Sequence, residues 1–179
     1  LPDLKLIQPV VHEDPRGFLF ESYHAPRYAE AGISETFVQD VHSRSTRNTL
    51  RGLHYQRAPG QAKLVQVTRG AVYDVAVDIR PDSPTVGRWV GVELSEENRH
   101  QLYLPRGFAH GFVVRSAVAD VQYKCSALYD GAAEAGLAWD DPDLRWTGGW
   151  LSRYCRSVTA PTNHSTTTSR DSGHRGYPS

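Results

Sequence analysis

The chain has 179 residues, which fits one domain large enough to bury a core without disulfide bonds. Its 20 basic and 20 acidic residues give a formal net charge of zero, which argues against a nucleic-acid or anionic-membrane binder and favours a small partner. Cys125 and Cys155 lack zinc-site spacing and are too few for a disulfide framework, so we expect free thiols. No signal-peptide pattern or membrane-spanning run is seen, so we expect a cytoplasmic protein.

The predicted elements are short and almost all extended. Residues 4–11 and 18–23 are β-rich and residues 13–17 carry turn chemistry, which predicts an opening hairpin. Residues 25–31 predict a short helix that ends at Gly32. Further extended runs follow at 37–43, 49–56, 63–68, 71–79, 88–94, 100–104, 111–115 and 118–126. This regular spacing predicts an antiparallel sandwich or barrel.

The composition changes after about residue 144. Residues 147–179 are rich in Ser, Thr, Arg and Gly and have almost no apolar periodicity, a pattern typical of a disordered tail. We therefore expect one folded domain over residues 1–146, followed by a tail over residues 147–179.

Residues 50–63, LRGLHYQRAPGQAK, predict a strand, a turn and the start of the next strand, so that His54 and Lys63 flank a hairpin. Because side chains alternate along a strand, we expect His54 on the face opposite Arg51 and Leu53. On spacing alone, a histidine here is more often a hydrogen-bonded core residue than a catalyst. Both interpretations stay open at this point.

Five segments with distinctive sequences occur in a fixed order. They are DPRGFLFE at 14–21, LRGLHYQRAPGQAK at 50–63, PRGFAHGF at 105–112, YKCS at 123–126, and YDGAAE at 129–134 with WDDP at 139–142. Together they resemble the motifs of the dTDP-4-dehydrorhamnose 3,5-epimerases over roughly residues 4–144. The resemblance implies an all-β double-stranded β-helix (cupin or jelly roll) with short flanking helices. It also implies the substrate dTDP-4-keto-6-deoxyglucose, no cofactor and no metal.

Inverting a carbon next to a ketone needs a base on one face, an acid on the other and a cation at the enolate oxygen. The resemblance assigns these roles to His54, Tyr123 and Lys63 respectively, and it matches Asp74 to the carboxylate that orients the base. Each residue alone could instead be structural, for example a sheet aromatic, a solvated lysine or the ion-pair partner of an arginine. Their joint match favours catalysis.

The resemblance also implies a set of substrate-binding positions. These are Arg16, Glu21, Gln39, Arg51, His110, Tyr129 and Glu134. Guanidinium groups suit a diphosphate that carries no metal, Tyr129 would stack on the thymine ring, and His110 would lie near the sugar. Whether carbon 3, carbon 5 or both are inverted stays open, as does the pathway, which could make L-rhamnose or an antibiotic sugar.

The resemblance further implies a homodimer, because family members are homodimers. Residues 1–23 are the expected contributors to an exchange of N-terminal strands between subunits, since such an exchange would pair an otherwise exposed sheet edge.

Two departures from the family pattern stand out. Val41 occupies a position where family members commonly have Asn, so one polar contact to the ligand is expected to be missing. The family's Asp-Trp-Pro and Leu-Ser-x-Arg-Asp motifs do not appear after residue 144. When residues 145–148 are back-translated with allowed codons and the bases are read in the frame that starts one base earlier, they can encode Ala-Leu-Asp-Trp. The same operation on residues 153–159 can give Leu-Leu-Ser-Glu-Arg-Asp. We therefore hypothesise that the reading frame is shifted there.

Two alternatives come from other functional classes. A metal-dependent cupin oxygenase could use His42, His54 and His110 with Glu21 or Asp74, because imidazole and carboxylate groups suit iron. Against it, the chain has no His-x-His pair. The other alternative is a sugar-nucleotide-binding module without catalysis. Replacing His54 by Asn separates the three possibilities. An epimerase would lose turnover, an oxygenase would lose its metal, and a binding module would lose neither.

Overall fold

The structure is a computed structural model that describes residues 1–144. Its strands are β1 (Lys5–Ile7), β2 (Val11–Asp14), β3 (Gly17–Phe20), β4 (Gln39–Thr46), β5 (Leu50–Gln56), β6 (Lys63–Arg69), β7 (Ala71–Asp78), β8 (Trp89–Ser95), β9 (Gln101–Leu104), β10 (Phe108–Val114), β11 (Val118–Cys125) and β12 (Glu134–Gly136). Helix α1 spans Ala25–Glu30, and a 3-10 turn spans Pro142–Leu144. The expected tail at 147–179 lies outside the described residues.

The strands form two five-stranded antiparallel sheets and a separate hairpin. The first sheet has the order β1-β9-β6-β11-β4, and the second has the order β12-β5-β10-β7-β8. Strands β2 and β3 pair with each other as the predicted opening hairpin. The predicted all-β jelly roll is confirmed, with α1 as the short helix beside it.

The main core lies between the two sheets. Val65, Leu102 and Val121 of the first sheet and Val72 and Phe112 of the second belong to one buried cluster. Burying this apolar surface is the main favourable contribution to folding. The core fills one part of the barrel and leaves the remaining part for polar side chains.

Strand β7 shows why this sheet is buried on both faces. Val72 and Ala76 point into the main core, whereas Val75 and Val77 join an outer cluster with Leu53. Trp139 and Leu144 cover that outer cluster. A strand covered on both sides is expected to be apolar almost throughout, as β7 is.

Helix α1 covers the outer face of the first sheet. His24 caps its N-terminus by accepting a hydrogen bond from the Arg27 amide, and Tyr28 packs against Leu64 of β6 and Tyr103 of β9. Gly32 follows the helix with φ of +82°, as the sequence pattern predicts. Within residues 1–144, no helix is both long and apolar enough to cross a membrane.

Candidate active site

A β-bulge in β5 sets the direction of the central side chains. His54 lies opposite His110 and Arg51 lies opposite Phe112, so two residues of β5 face Gly111 alone. Because paired residues point to the same face, Arg51 and His54 both face the barrel interior. The prediction that they face opposite ways is therefore wrong, since simple alternation does not hold across a bulge.

Gly52 makes this bulge sterically possible. Its φ is +118°, and a Cβ placed there would lie 2.5 Å from Gly111 Cα and 2.7 Å from the His110 carbonyl oxygen. Only glycine allows two backbones to approach this closely. The motif glycine thus places the two residues that follow it, because it lets Leu53 turn outwards while His54 turns inwards.

A cavity of about 310 Å³ opens beside His54, and we call it the central cavity. The residues that line it are Gln39, Val41, His54, Tyr55, Gln56, Gln61, Lys63, Tyr123, Cys125, Tyr129 and Glu134. Strands of both sheets therefore contribute to it. Six residues of the predicted site are among these lining residues, since Gln39, His54, Lys63, Tyr123, Tyr129 and Glu134 all border the same space.

His54 is suited to accept a proton. Desolvation by the surrounding protein lowers the pKa of the imidazole, and the positive charges of Lys63 and Arg51 act in the same direction. The carboxylate of Glu134 partly opposes them. The imidazole is therefore neutral at pH 7, which is the form that a general base requires.

Lys63 and Tyr123 lie side by side on the cavity wall formed by the neighbouring strands β6 and β11. The Lys63 ammonium lies 5.8 Å from the centroid of the Tyr123 ring, close enough for a cation–π contact. Burial lowers the pKa of Lys63, although the nearby groups Cys125, Asp74 and Glu134 oppose that shift. Burial also raises the pKa of Tyr123, so the phenol keeps its proton and can donate it.

Asp74 and His110 form a buried pair. Both carboxylate oxygens of the fully buried Asp74 lie 2.9–3.0 Å from His110 Nε2. The prediction that Asp74 orients His54 is wrong about the partner. Strand β10 runs between β5 and β7, so His110 stands between Asp74 and His54. His110 is thus fixed in place beside the base.

The mouth of the cavity is held by hydrogen bonds to the loop before β12. The Tyr129 amide donates to Gln39 Oε1 at 2.9 Å, and the Tyr129 hydroxyl donates to Glu134 Oε2 at 2.6 Å. Gln56 Nε2 donates to the Asp130 carbonyl oxygen at 3.1 Å. The edge of the Tyr129 ring is thus anchored while the residue stays 60% exposed, as a stacking platform requires.

Some residues of the site were missed by the sequence analysis. Gln56, Gln61 and Cys125 line the cavity, and Ser45 accepts a hydrogen bond from Arg51 Nε at 2.8 Å. Strand alternation could have identified Gln56, which lies two residues beyond His54. Nothing in the local sequence indicates Ser45, because its contact with Arg51 depends on how the two sheets meet.

Arg16 and Glu21 do not join the central cavity in this chain. Arg16 sits at the tip of the β2–β3 hairpin, where its 90% exposed side chain pairs with Asp14. Glu21 accepts a hydrogen bond from Arg27 at 2.8 Å. Both predicted binding residues therefore lie away from the central cavity of the chain.

The ligand set suggested for an oxygenase is not assembled. His42 lies on the outer face of the first sheet, where its Nε2 is 3.7 Å from Asp120. Among residues 1–144, no group of three or more His, Cys, Asp or Glu side chains is placed to hold a metal ion.

Comparison with known proteins agrees with the site geometry. The sequence model of the dTDP-4-dehydrorhamnose 3,5-epimerase family matches residues 1–174. The chain belongs to this family. It is therefore an epimerase, as the combination of His54, Lys63 and Tyr123 indicates.

Individual family members show how far the likeness extends. The chain is 51% identical over 146 residues to dTDP-4-dehydrorhamnose 3,5-epimerase of Pseudomonas aeruginosa, covering 81% of each protein. A crystal structure of the Legionella pneumophila epimerase in complex with dTDP-4-keto-L-rhamnose is 52% identical with a TM-score of 0.80, covering 82% of this chain and 79% of that one. A dTDP-4-dehydrorhamnose 3-epimerase of Streptomyces niveus is 44% identical over 140 residues, covering 77% of this chain and 68% of that protein.

Proposed function

We propose that this epimerase acts on dTDP-4-keto-6-deoxyglucose and inverts carbon 3, carbon 5 or both, next to the ketone. The observation that carries the proposal is that a neutral imidazole, an ammonium and a protonated phenol, from three different strands, line one cavity of about 310 Å³. These are the base, the cation and the acid that an enolate mechanism requires, and no step of that mechanism needs a cofactor.

The first step is proton abstraction. His54 takes a proton from the carbon next to the ketone, and the electron pair of that C–H bond moves onto the carbonyl oxygen as an enolate. Lys63 stabilises the negative charge that develops there, and it does so strongly because burial removes its ammonium group from much of the solvent. The low pKa of His54 ensures that the base is free at neutral pH.

The second step is protonation from the opposite side. Tyr123 donates its phenolic proton to the carbon of the enolate, on the face away from His54, and the configuration is inverted. The phenolate that remains is stabilised by the nearby Lys63 ammonium. His54 lies on β5 and Tyr123 on β11, which belong to different sheets, so the sugar ring would lie between them.

The nucleotide would bind at the cavity mouth. The Tyr129 ring offers a stacking surface for thymine, and Arg51 supplies a guanidinium fork for the diphosphate. The Ser45 hydroxyl holds the Arg51 side chain in this direction. His110, fixed by Asp74, would contact the sugar.

We further propose that the enzyme is a homodimer in which the β2–β3 hairpin of one subunit reaches the cavity of the other. Two features support this. Strand β4 is an edge of the first sheet, and Phe18 and Leu19 of the hairpin are 58% and 70% exposed. An exposed apolar strand and an unpaired edge complement each other. A cytoplasmic location stays a prediction from the sequence.

The epimerase domain is proposed to span residues 1–146, and the chain is proposed to be read in a shifted frame from residue 145 onwards. Two family motifs reappear, from residues 145–148 and 153–159, after the same one-base shift. Resequencing the gene tests this: we expect a single-base insertion or deletion near codon 144. An uninterrupted frame would end the proposal.

Proton exchange tests the proposed reaction. The protein is incubated in heavy water with dTDP-4-keto-6-deoxyglucose, and deuterium entry at carbons 3 and 5 is followed by NMR. Label and inversion at one or both carbons are expected. A protein that binds the nucleotide but labels neither carbon would instead be a binding module.

A further inference from the structure

The turn between β5 and β6 joins the strand of the proposed base to the proposed cation. His54 belongs to β5, and Lys63 is the first residue of β6. Lys63 pairs with Leu104 of β9 on one side and with Cys125 of β11 on the other. Because Lys63 opens its strand, the position of its backbone also depends on how the preceding turn, residues 57–62, is held.

Arg106, in the loop between β9 and β10, binds the first half of this turn. Its Nη1 donates to the Gly60 carbonyl oxygen at 2.8 Å and to the Pro59 carbonyl oxygen at 3.2 Å. Its Nε and Nη2 donate to the two carboxylate oxygens of Glu35 at 2.9 and 3.1 Å. One guanidinium therefore joins two carbonyl groups of the turn to a carboxylate of the segment before β4, which requires the planar array of donors that arginine has.

Ser126 binds the second half of the turn. The Ala62 amide donates to Ser126 Oγ at 2.9 Å, and the Ser126 amide donates to the Ala62 carbonyl oxygen at 3.0 Å. The Ser126 side chain also hydrogen-bonds to Glu35. Glu35 thus contacts both Arg106 and Ser126, the two residues that hold the turn leading into Lys63.

The Arg106–Glu35 ion pair is partly exposed but keeps its charges. The two side chains are 37% and 24% exposed. Hydrogen bonds from Arg106 lower the pKa of Glu35, and the same contacts raise the pKa of Arg106, so both groups are ionised at pH 7. Ion pairs that water reaches contribute little to the free energy of unfolding. The main effect of this pair is therefore expected on the position of the turn rather than on stability.

Resting on the proposed function, we infer that Arg106 and Glu35 are positioning residues for Lys63. Neither lines the central cavity, so they act through the turn that sets where the Lys63 ammonium lies against the enolate oxygen. Electrostatic stabilisation requires that the charged group is in place before the negative charge develops. A displacement of about 1 Å is enough to lower a rate by about 100-fold.

Nucleotide binding should depend much less on this ion pair. The Tyr129 ring, which is proposed to stack on thymine, is held separately by hydrogen bonds to Gln39 and Glu134. Loss of the ion pair should therefore lower kcat and leave the affinity for dTDP nearly unchanged. A purely structural role would instead lower the melting temperature without lowering kcat.

The variant Arg106→Lys tests the inference, because lysine keeps the charge but cannot bind the turn carbonyls and both carboxylate oxygens at once. The kcat for deuterium exchange into dTDP-4-keto-6-deoxyglucose is expected to fall about 10–100-fold, while the affinity for dTDP changes less than about threefold. The matched control is Arg115→Lys, which should keep the wild-type kcat, because Arg115 pairs with Glu93 outside the central cavity. A wild-type kcat in Arg106→Lys overturns the inference, as does an equal loss of dTDP affinity.

A Lys63→Gln background shows whether the effect passes through the ammonium. In that background, adding Arg106→Lys should lower exchange by less than about twofold, because the group that it positions is already absent. A further loss as large as in the wild-type background would overturn the inference. Glu35→Gln, measured in the same two backgrounds, should behave alike and provides the test if Arg106→Lys does not fold. Absence of exchange at either carbon in the wild-type protein would instead show that the proposed function itself is wrong.

Discussion

At the scale of single residues, His54 depends on its surroundings for its reactivity. The strand places it at the cavity mouth, but the loss of solvation and the positive charges of Lys63 and Arg51 keep it neutral. Glu134 is the described carboxylate that counteracts them. The balance of these charges, rather than the imidazole alone, sets the pH range in which the enzyme works.

Replacing His54 by Asn should lower kcat by about 10²–10⁴-fold, because the amide cannot accept the proton. The affinity for dTDP, measured by calorimetry, should change little. His42→Asn is the matched control, since His42 lies outside the cavity on the other face of the first sheet. Equal activity of both variants would contradict the assignment of the base.

The pH profile of kcat/KM tests the charge balance. Because the pKa of His54 is lowered from its ordinary value of about 6.5, the activity should hold at pH 6.5 and fall only at more acidic pH, as the base becomes protonated. In Glu134→Gln the pKa falls further, so the acid limb should move to lower pH. Glu93→Gln, on the exposed edge strand β8, should leave the limb in place. An unmoved limb in Glu134→Gln would contradict the role of its charge.

Replacing Tyr123 by Phe separates the two steps of the reaction. Abstraction by His54 is retained, so deuterium should still enter the substrate, whereas inversion should fall by about 10²-fold or more. The measurement is the ratio of label to inversion by NMR. A parallel loss of both would indicate that Tyr123 is needed before the enolate forms.

At the scale of elements, the bulge of β5 does more to shape the site than any single side chain. We expect Gly52→Ala to lower the free energy of unfolding by at least about 3 kcal/mol. Backbone strain at a positive φ costs about 1–3 kcal/mol, and the clash of the new Cβ with Gly111 adds a comparable cost of overpacking. Gly87→Ala shares the positive φ, at +76°, but meets no atom within 4 Å, so it should cost only about 1 kcal/mol. Denaturant unfolding compares the two variants, and equal costs would show that the contact with Gly111 is unimportant.

The same elements show what the sequence could and could not predict. Periodicity identified most strands, because each alternates or is continuously apolar between turn residues. It missed β12, which has three residues, and the first three residues of β10, which follow Gly107 directly. The face of Arg51 and the partner of Asp74 could not be predicted, since both depend on the register and order of strands. The family motifs located the residues of the cavity but not these contacts.

At the scale of the whole molecule, the hairpin and the cavity of the chain are separate. Arg99 holds the hairpin to the rest of the chain through an ion pair with Glu13 and a cation–π contact with Phe18 at 4.2 Å. Arg16 therefore stands at the tip of a fixed arm, whereas Glu21, just beyond the hairpin, is bound by Arg27. In the proposed homodimer, this arrangement suits delivery of Arg16 to a neighbouring subunit.

Mixing two inactive variants tests that delivery. Arg16→Ala and His54→Asn are each expected to have low activity. If the hairpin acts between subunits, each mixed dimer contains one site with both residues intact. About half of the dimers are mixed after subunit exchange, and one of their two sites is complete. Activity should therefore rise towards a quarter of the wild-type value. If Arg16 serves its own subunit, no mixture recovers activity. Light scattering establishes the oligomeric state in each case.

The unequal exposure of His54 and Tyr123 has a consequence for the catalytic cycle. In the proposed mechanism, one inversion leaves His54 with an extra proton and Tyr123 without its proton, so the free enzyme that releases product differs from the one that bound substrate. The form with a neutral His54 and a protonated Tyr123 can start the reaction in one direction. The form with a protonated His54 and a deprotonated Tyr123 can start it in the reverse direction. His54 is exposed, whereas Tyr123 is half-buried. We therefore expect the return of a proton to the phenol to be the slower half of the recovery, with the emptied cavity as its route.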